Sequence, residues 1–471
     1  MKFRKKIIKI LLCLSLVTTL FSTNVFAEEN NNLISTENDL ITSQENSSVN
    51  QDISSNTDNN NQTKKQFYDT NEEKPDFTVF CNNAILVDTK TGKILYNKNI
   101  KEKKYPASTT KILTAILVLE NCNLDDKVVV DYESIAIVPS GYTVAALQVG
   151  EELTVKQLLQ MLLVPSANDA ANVLAKHVAG SIDSFASMMN TKANEIGCED
   201  SHFTNPSGVH DKDHYSTVYD FALLMDYCIK NPTFVELASL KSCIIPATNK
   251  YDQRVFTNTN EMHNIDTRDI PSNYYYPYLL CGKTGYTSQA NNCLVTAAEK
   301  DGLKLICVVF DGLRTDEDLS AKFCDTKNLY EFGYNTYSVV KLREKDAIAK
   351  QIEISNATKD TRNLDLLINE DINVLTKQQS NINQVEPEFI LNENIEAPIA
   401  KGDRLGTIIY NIEGIKYEAP LIAAHKVDKD NFWFFIFQMI IIGIIIYLIY
   451  KLLKSKKAKN TKNIRKVLYK S

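Results

Sequence analysis

Apolar positions along this chain change their spacing in a way that separates strands from helices. Ala84-Ile85-Leu86-Val87-Asp88 and Lys93-Ile94-Leu95-Tyr96 are strand-like runs on either side of Lys90-Thr91-Gly92, a pattern that predicts a hairpin. From Thr110 onward Ile112, Leu113, Ile116, Leu117 and Leu119 recur at helical spacing, with Pro106 placed to open the helix. Val155–Val164 predicts a second apolar helix that Pro165 ends. Asp169–Val178 predicts a third, with Gly180 as its stop. Strand character returns over 290–310, including Cys293-Leu294-Val295-Thr296-Ala297. About 260 residues, 77–337, suffice for a single α/β (α+β) core. Residues 338–425 hold shorter alternating runs, Leu364–Ile368 and Gly406–Tyr410 among them, and predict a small β-rich domain.

The two ends read differently. Lys2, Arg4, Lys5, Lys6 and Lys9 precede and enter an apolar stretch ending at Val25-Phe26-Ala27, which predicts a secretory signal peptide over 1–27. Residues 28–76 are rich in Asn, Ser, Thr, Gln and Asp and predict a disordered polar linker. Phe432–Tyr450 is 19 residues without a charge. As a helix it spans roughly 28 Å, close to the hydrocarbon thickness of a bilayer. An amphipathic helix lying in the interface is the alternative, but the apolar face runs all the way round. The flank at 451–471 carries nine Lys or Arg and no acid, which predicts a basic cytoplasmic tail, a single-pass membrane protein and a catalytic domain outside the cell.

Charge sharpens that topology. The whole chain is −6; removing five positive charges with the leader and nine with the tail leaves −20 for 28–450. So acidic an exterior excludes nucleic acid as a partner. The ten cysteines lack paired metal-ligand spacing, and several (Cys228, Cys293, Cys307) sit in apolar runs as small core residues. No metal or cofactor is expected, and no disulfide is assigned.

Three motifs follow one another in order: Ser108-Thr109-Thr110-Lys111, Ser166-Ala167-Asn168 and Lys283-Thr284-Gly285. Together they describe serine acyl transfer in which a lysine activates the nucleophile. S-x-x-K and S-x-N each arise by chance roughly once or twice in a chain of this length. The chain also holds decoys: Ser338-Val339-Val340-Lys341, Ser48-Val49-Asn50 and the turn at Lys90. Context decides between them. Ser108 is expected in the first turn of a buried helix, where Lys111 projects on the same side within hydrogen-bonding reach; the alternative is that Ser108 only caps that helix. Ser166 and Asn168 sit at a junction of two buried helices, where Ser166 is also a candidate cap of the second. Lys283 begins a strand-rich stretch. On a strand edge its amine suits a substrate carboxylate, Thr284 a hydrogen bond to it, and Gly285 leaves room for substrate backbone.

These motifs and their neighbours resemble the low-molecular-mass penicillin-binding proteins, the serine D-alanyl-D-alanine carboxypeptidases that trim peptidoglycan stem peptides. The resemblance runs from about Asn83 to Ala424 and includes VDTKTGKILYNKN, YPASTTKILTA, LLVPSANDAANVLA, HYSTVYDFA from His214, CGKTGYTSQANNCLVTAA and IEAPIAKGDRLG. It implies an antiparallel sheet and a helical lobe with Ser108 between them. It also implies that Ser108 is acylated by the penultimate D-Ala carbonyl, that Lys111 is a neutral general base, and that Ser166 relays a proton to the leaving amine. Asn168 is implied to bind Lys111 and the substrate amide, Lys283 and Thr284 the terminal carboxylate, and the N–H groups of Ser108 and Tyr286 to form the oxyanion hole. β-Lactams are implied as covalent inhibitors.

The chain departs from that family at three places. Gly282 replaces a bulky aliphatic residue, which is expected to loosen the strand. Asn205-Pro206-Ser207-Gly208 stands for Asn-Pro-His-Gly, and Lys322-Phe323 for Arg-Phe, which keeps the charge and loses the bidentate fork. Between Asn168 and Lys283 no glutamate has an asparagine four residues later, so the deacylating base of class A β-lactamases is missing and slow hydrolysis of a penicilloyl adduct is expected. A D,D-endopeptidase and a membrane-tethered β-lactam sensor remain as alternatives; the sensor's H-E-x-x-H signature does not occur.

Overall fold

The computed structural model describes residues 65–69, 74–264, 274–315, 319–378, 380 and 382–468. The predicted signal peptide and most of the predicted linker lie outside the described residues. The chain is traced from β1 (Tyr68–Asp69) into the hairpin β2 (Asn83–Asp88) and β3 (Lys93–Lys98). A helical region follows: α1 (Lys111–Asn121), α2 (Tyr132–Ala136), α3 (Val155–Leu163), α4 (Asn168–Ala179), α5 (Ile182–Ile196), α6 (Val218–Cys228) and α7 (Pro232–Ala238). Two short hairpins lie in and after it, β4 (Lys127–Val129) with β5 (Glu152–Thr154) and β6 (Ser242–Ile245) with β7 (Arg254–Thr257). The chain then returns as β8 (Leu279–Thr287), β9 (Asn291–Lys300) and β10 (Leu303–Gly312), and α8 (Ala321–Thr336) closes this part.

The central sheet has the order β1-β3-β2-β10-β9-β8, antiparallel except where β1 joins β3. Both faces are covered, which is why its strands read as continuous apolar runs rather than alternating ones. Ile85, Val87, Ile306, Val308 and Phe310 pack against the helical lobe, while Ala84, Leu86, Leu305, Cys307 and Val309 pack under α8. β8 is the last strand in this order, with β9 its one neighbour in the sheet, so its outer edge faces the nucleophile turn.

The expected disorder of 28–76 does not extend through its end. Tyr68–Asp69 pair in parallel with Lys93 and Ile94, and Phe67 is buried against the sheet with its N–H bonded to the Tyr219 hydroxyl. Two paired residues and one buried ring suffice for this edge, and neither leaves a periodic signal in a polar segment.

The second domain contains β11 (Tyr337–Arg343), β12 (Ile348–Glu353), β13 (Asn363–Ile368), β14 (Ile372–Lys377), β15 (Glu388–Leu391), β16 (Arg404–Ile412) and β17 (Ile415–Ala423). β11 pairs with β14, and the remaining five form a sheet of order β12-β13-β17-β16-β15. Here alternation is visible: Leu364, Leu366 and Ile368 point into a separate core with Ile408, Tyr410 and Leu421. Glu413-Gly414 is the two-residue turn between β16 and β17, both residues left-handed (φ 50° and 79°) as such a hairpin requires. That turn places the Glu413 carboxylate 2.5 Å from Lys93 Nζ, a fully buried ammonium of the catalytic domain. The chain ends in α9 (Phe432–Leu468), whose segment Phe432–Ser455 holds an unburied 18-residue window with a mean hydropathy of 2.6 and is long and apolar enough to cross a membrane.

Glu413→Gln leaves the buried Lys93 ammonium without its counter-charge, a loss of about 1–3 kcal/mol. Thermal unfolding of the variant is expected at a lower Tm than the parent chain; an unchanged Tm contradicts this role for the pair.

Candidate active site

Ser108 is reached through a distorted turn rather than the first turn of an α-helix. Ala107–Thr110 form a 3₁₀ turn with Pro106 at its cap, and α1 begins only at Lys111. The difference favours the chemistry, because side chains three residues apart eclipse one another in a 3₁₀ turn. Ser108 Oγ lies 2.9 Å from Lys111 Nζ. The turn is held by the Thr109 hydroxyl, which donates to Pro106 O at 2.7 Å, and by Ala107 in the left-handed region (φ 48°).

Two glycines press on this turn from opposite elements. A Cβ on Gly208, itself at φ 78°, would fall 1.8 Å from Ala107 O, and one on Gly285 of β8 would fall 2.9 Å from Pro106 O and 3.1 Å from Ser108 N. No side chain fits at either place. The Gly208 loop is shaped by Asn205, whose Oδ1 accepts from the N–H groups of Ser207 and Gly208 at 3.2 and 2.8 Å. His214 supports the turn from below. Burial pushes its pKa down to about 3, so the ring is neutral; it accepts at Nδ1 from Thr204 N and therefore donates from Nε2 to Thr110 Oγ1 at 2.9 Å.

Lys111 is fully buried. Its amine has three neighbours: Ser108 Oγ, Asn168 Oδ1 at 2.8 Å and the Ser207 carbonyl at 2.6 Å. Two of these can only accept hydrogen bonds. Burial, then the positive charge of Lys283, hold the Lys111 pKa well below its ordinary value, while Asp169 opposes them. A neutral amine has two N–H groups and one lone pair. In that neutral form the carbonyls take the two hydrogens and the lone pair faces the Ser108 hydroxyl; as an ammonium, Nζ donates to all three neighbours.

Ser166 stands at φ 69°, between α3 and α4. It does not cap α4: Ala167 holds the cap position and no side chain accepts there. Its Oγ is buried without a hydrogen-bond partner among the described residues. Asn168 begins α4, turning Oδ1 to Lys111 and donating from Nδ2 to Thr143 O at 2.8 Å. Asp169 next to it accepts from Ala145 N and Leu147 N, fastening the loop that carries Ser140–Thr143.

Ser108, Ser166 and Asn168 share one cleft of about 440 Å³ with Thr284, Gly285 and Tyr286 of β8. Lys283 lies beneath it rather than in its wall: the side chain is 1 % exposed, Nζ donates to Thr284 O at 3.1 Å, and burial followed by the charge of Lys322 lowers its pKa to about 7. Lys322 does line the cleft and donates to Asn292 Oδ1 at 3.1 Å. Gly282 keeps its place in the ladder: it pairs with Thr296 and the register runs on to Thr287, the strand's irregularity lying just before it, between Leu279 and Cys281; a Cβ at Gly282 would fall 2.7 Å from Thr296 Cγ2 and 2.9 Å from Asn260 Nδ2. The space of the family's aliphatic side chain is filled from the other side, by Asn260.

Sequence reasoning missed the Ser207 carbonyl, because a backbone acceptor leaves no residue signature. It also missed Thr259, whose hydroxyl lies 2.6 Å from that of Thr284. Asn-x-Asn around a threonine is a turn signal that was available in principle.

Residues 69–313 match the family described as D-alanyl-D-alanine carboxypeptidase, more than half of the chain, and 337–429 match the C-terminal domain of penicillin-binding protein 5. The chain belongs to the D-alanyl-D-alanine carboxypeptidase family. It is 32% identical over 356 residues to DacF of Bacillus subtilis, 74% of this chain and 86% of that one. To DacB2 of Mycobacterium tuberculosis it is 31% identical over 252 residues, 53% of this chain and 81% of that one. Among solved structures, penicillin-binding protein 5 of Haemophilus influenzae shares the fold with a TM-score of 0.59 at 24% identity, covering 76% of this chain and all (100%) of that one. A D-alanyl-D-alanine carboxypeptidase of Mycobacterium tuberculosis H37Rv gives 0.50 at 28% identity, over 55% and 93% of the two chains.

In this carboxypeptidase, Gly208→Ala drives a methyl group into the nucleophile turn. Misplacing reacting atoms by about 1 Å reduces rates by roughly 100-fold. Labelling of the variant by a fluorescent penicillin is expected to slow by that order, with the far-ultraviolet circular dichroism spectrum retained; labelling at the parent rate contradicts the tight fit.

Proposed function

We propose that the protein removes the terminal D-Ala from peptidoglycan stem pentapeptides through an acyl-enzyme on Ser108, as a serine-type D-Ala-D-Ala carboxypeptidase. The observation that carries this reading is the buried Lys111 amine, which lies 2.9 Å from Ser108 Oγ and otherwise meets only the Asn168 and Ser207 carbonyls among the described residues. Ser108 Oγ attacks the penultimate D-Ala carbonyl carbon as its proton passes to Lys111 Nζ. The oxyanion is stabilised by the N–H groups of Ser108 and Tyr286, where losing one donor typically costs on the order of 100-fold. The C–N bond breaks as Ser166 passes its proton to the leaving amine and takes in turn the one held on Lys111, which becomes neutral again, and free D-Ala departs. Water then attacks the ester with Lys111 again as base, restoring Ser108.

Asn168 holds Lys111 and the substrate amide. Thr284 and Lys322 meet the terminal carboxylate from the cleft wall, while the buried Lys283 acts through its charge. Gly285 and Tyr286 offer backbone along the outer edge of β8, the edge that β9 leaves unpaired. β-Lactams acylate the same serine. Among the described residues no acid lines the cleft, which supports Lys111 as the group that activates water against a penicilloyl ester. The span at 432–450 and the basic tail at 451–471 support a single-pass anchor with the catalytic domain outside the cell.

Two measurements test the reading. Ser108→Ala is expected to abolish both penicillin labelling and D-Ala release from a pentapeptide; monomers released from a cross-linked dimer instead of D-Ala from the pentapeptide would make it an endopeptidase, and labelling without either product a sensor. Because Lys111 must be neutral to act, acylation rises with pH through its depressed pKa. Lys283→Met removes the neighbouring charge that helps depress it, so the acid limb of kcat/KM moves to higher pH; a limb that stays in place overturns the electrostatic role of Lys283.

A further inference from the structure

Thr259 belongs to none of the three motifs, yet it lines the catalytic cleft and its Oγ1 lies 2.6 Å from Thr284 Oγ1. The turn that carries it is firmly made. Asn258 Oδ1 accepts from Asn260 N at 2.8 Å, Asn260 Oδ1 accepts from Met262 N at 3.2 Å, and Asn258 Nδ2 donates to Leu240 O at 2.7 Å. Thr259 N itself donates to Val164 O at 3.2 Å, just before the Ser166-Ala167-Asn168 junction. The absence of a side chain at Gly282 is what lets Asn260, and so this turn, approach β8.

Each threonine hydroxyl has one proton, and among the described residues neither has a second partner. If Thr284 donates to Thr259, it presents only lone pairs to the cleft and repels a carboxylate. If Thr259 donates to Thr284, the Thr284 proton is free to point at the substrate, and the bond it receives strengthens the one it gives. A carboxylate entering the cleft selects the second arrangement.

We propose that Thr259 is a positioning residue that sets Thr284 as the hydrogen-bond donor to the ligand's terminal carboxylate, and so makes the site select carboxylate over uncharged ends. This rests on the reading of the cleft as a D-alanyl-D-alanine site.

The test compares acylation of the full chain by benzylpenicillin and by its methyl ester, which has the same reactive ring without the carboxylate. The readout is the ratio of the two second-order rate constants, followed by mass spectrometry of the adduct. Thr259→Val is expected to lower that ratio about tenfold, the order of one hydrogen bond to a charged group. Thr259→Ser, which keeps the hydroxyl, is expected to retain it, and Thr259→Val is expected to add little once Thr284→Val is present. An unchanged ratio, an equal slowing with both compounds, or a serine variant as impaired as the valine variant overturns the proposal. If neither compound acylates the parent chain, the acyl-enzyme reading itself fails, an outcome distinct from a labelled serine with an unmoved ratio.

Discussion

The architecture of the site turns on one buried amine whose pKa is held well below its ordinary value, by burial first and then by the charge of Lys283. Removing an ammonium from water is expensive, and the protein meets that cost by shifting the proton equilibrium rather than by pairing the charge. A carboxylate beside Lys111 would defeat the purpose. The nearest acid with an influence, Asp169, has its oxygens occupied by three backbone N–H groups, those of Ala145, Leu147 and Ala170, which disperse its charge along the loop and the start of α4. What remains in contact with the amine is two carbonyl dipoles and a hydroxyl. Building that shell requires backbone to come close from three directions, and three residues around it take left-handed conformations: Ala107, Ser166 and Gly208. Strain of this kind persists only where the surroundings over-determine it, and here the glycine contacts and the Asn205 bonds supply that constraint.

The second lysine acts on the first across the cleft floor. Lys283 is as buried as Lys111 but touches only the carbonyl of its own neighbour, Thr284. Its charge lowers the Lys111 pKa, and the charge of Lys322 in turn lowers its own. Lys283 and Lys322, with exposure increasing toward the cleft, create a positive potential beside the Lys111 amine, without a contact ion pair among the described residues. An entering carboxylate is attracted to it, and by meeting Lys322 and Thr284 it would screen that potential from Lys111 only partly.

The parts of this site that the sequence displayed are those where chemistry-bearing side chains sit at short spacing. Ser108 with Lys111, Ser166 with Asn168, and Lys283 with Thr284 were legible because each pair spans at most one turn or two strand residues, and the helices between them carry plain 3.6-residue periodicity. The rest depends on backbone. The 3₁₀ form of the Ser108 turn, the Ser207 carbonyl and the positive φ of Ser166 arise from elements more than fifty residues apart pressing together, which no local pattern records. Gly282 shows the same limit: read alone it weakens a strand, whereas in the fold it is one half of a fit with Asn260. In the sheet, alternation was invisible because both faces are covered; in the β domain one covered face restored it.

A single base serving both halves of a two-step reaction constrains what the enzyme can hydrolyse. After acylation by a peptide, the protonated amine product leaves, Lys111 returns to neutrality, and the vacated part of the cleft admits water next to it. A β-lactam keeps its leaving nitrogen tethered to the acyl group, so that place stays filled. Among the described residues the cleft walls consist of hydroxyls, glycines, an amide and lysine, so on the proposed mechanism water's proton falls to Lys111. On the proposed mechanism the same buried amine that makes Ser108 reactive leaves the penicilloyl ester stranded, so that susceptibility to β-lactams follows from the catalytic geometry rather than from a separate property of the site.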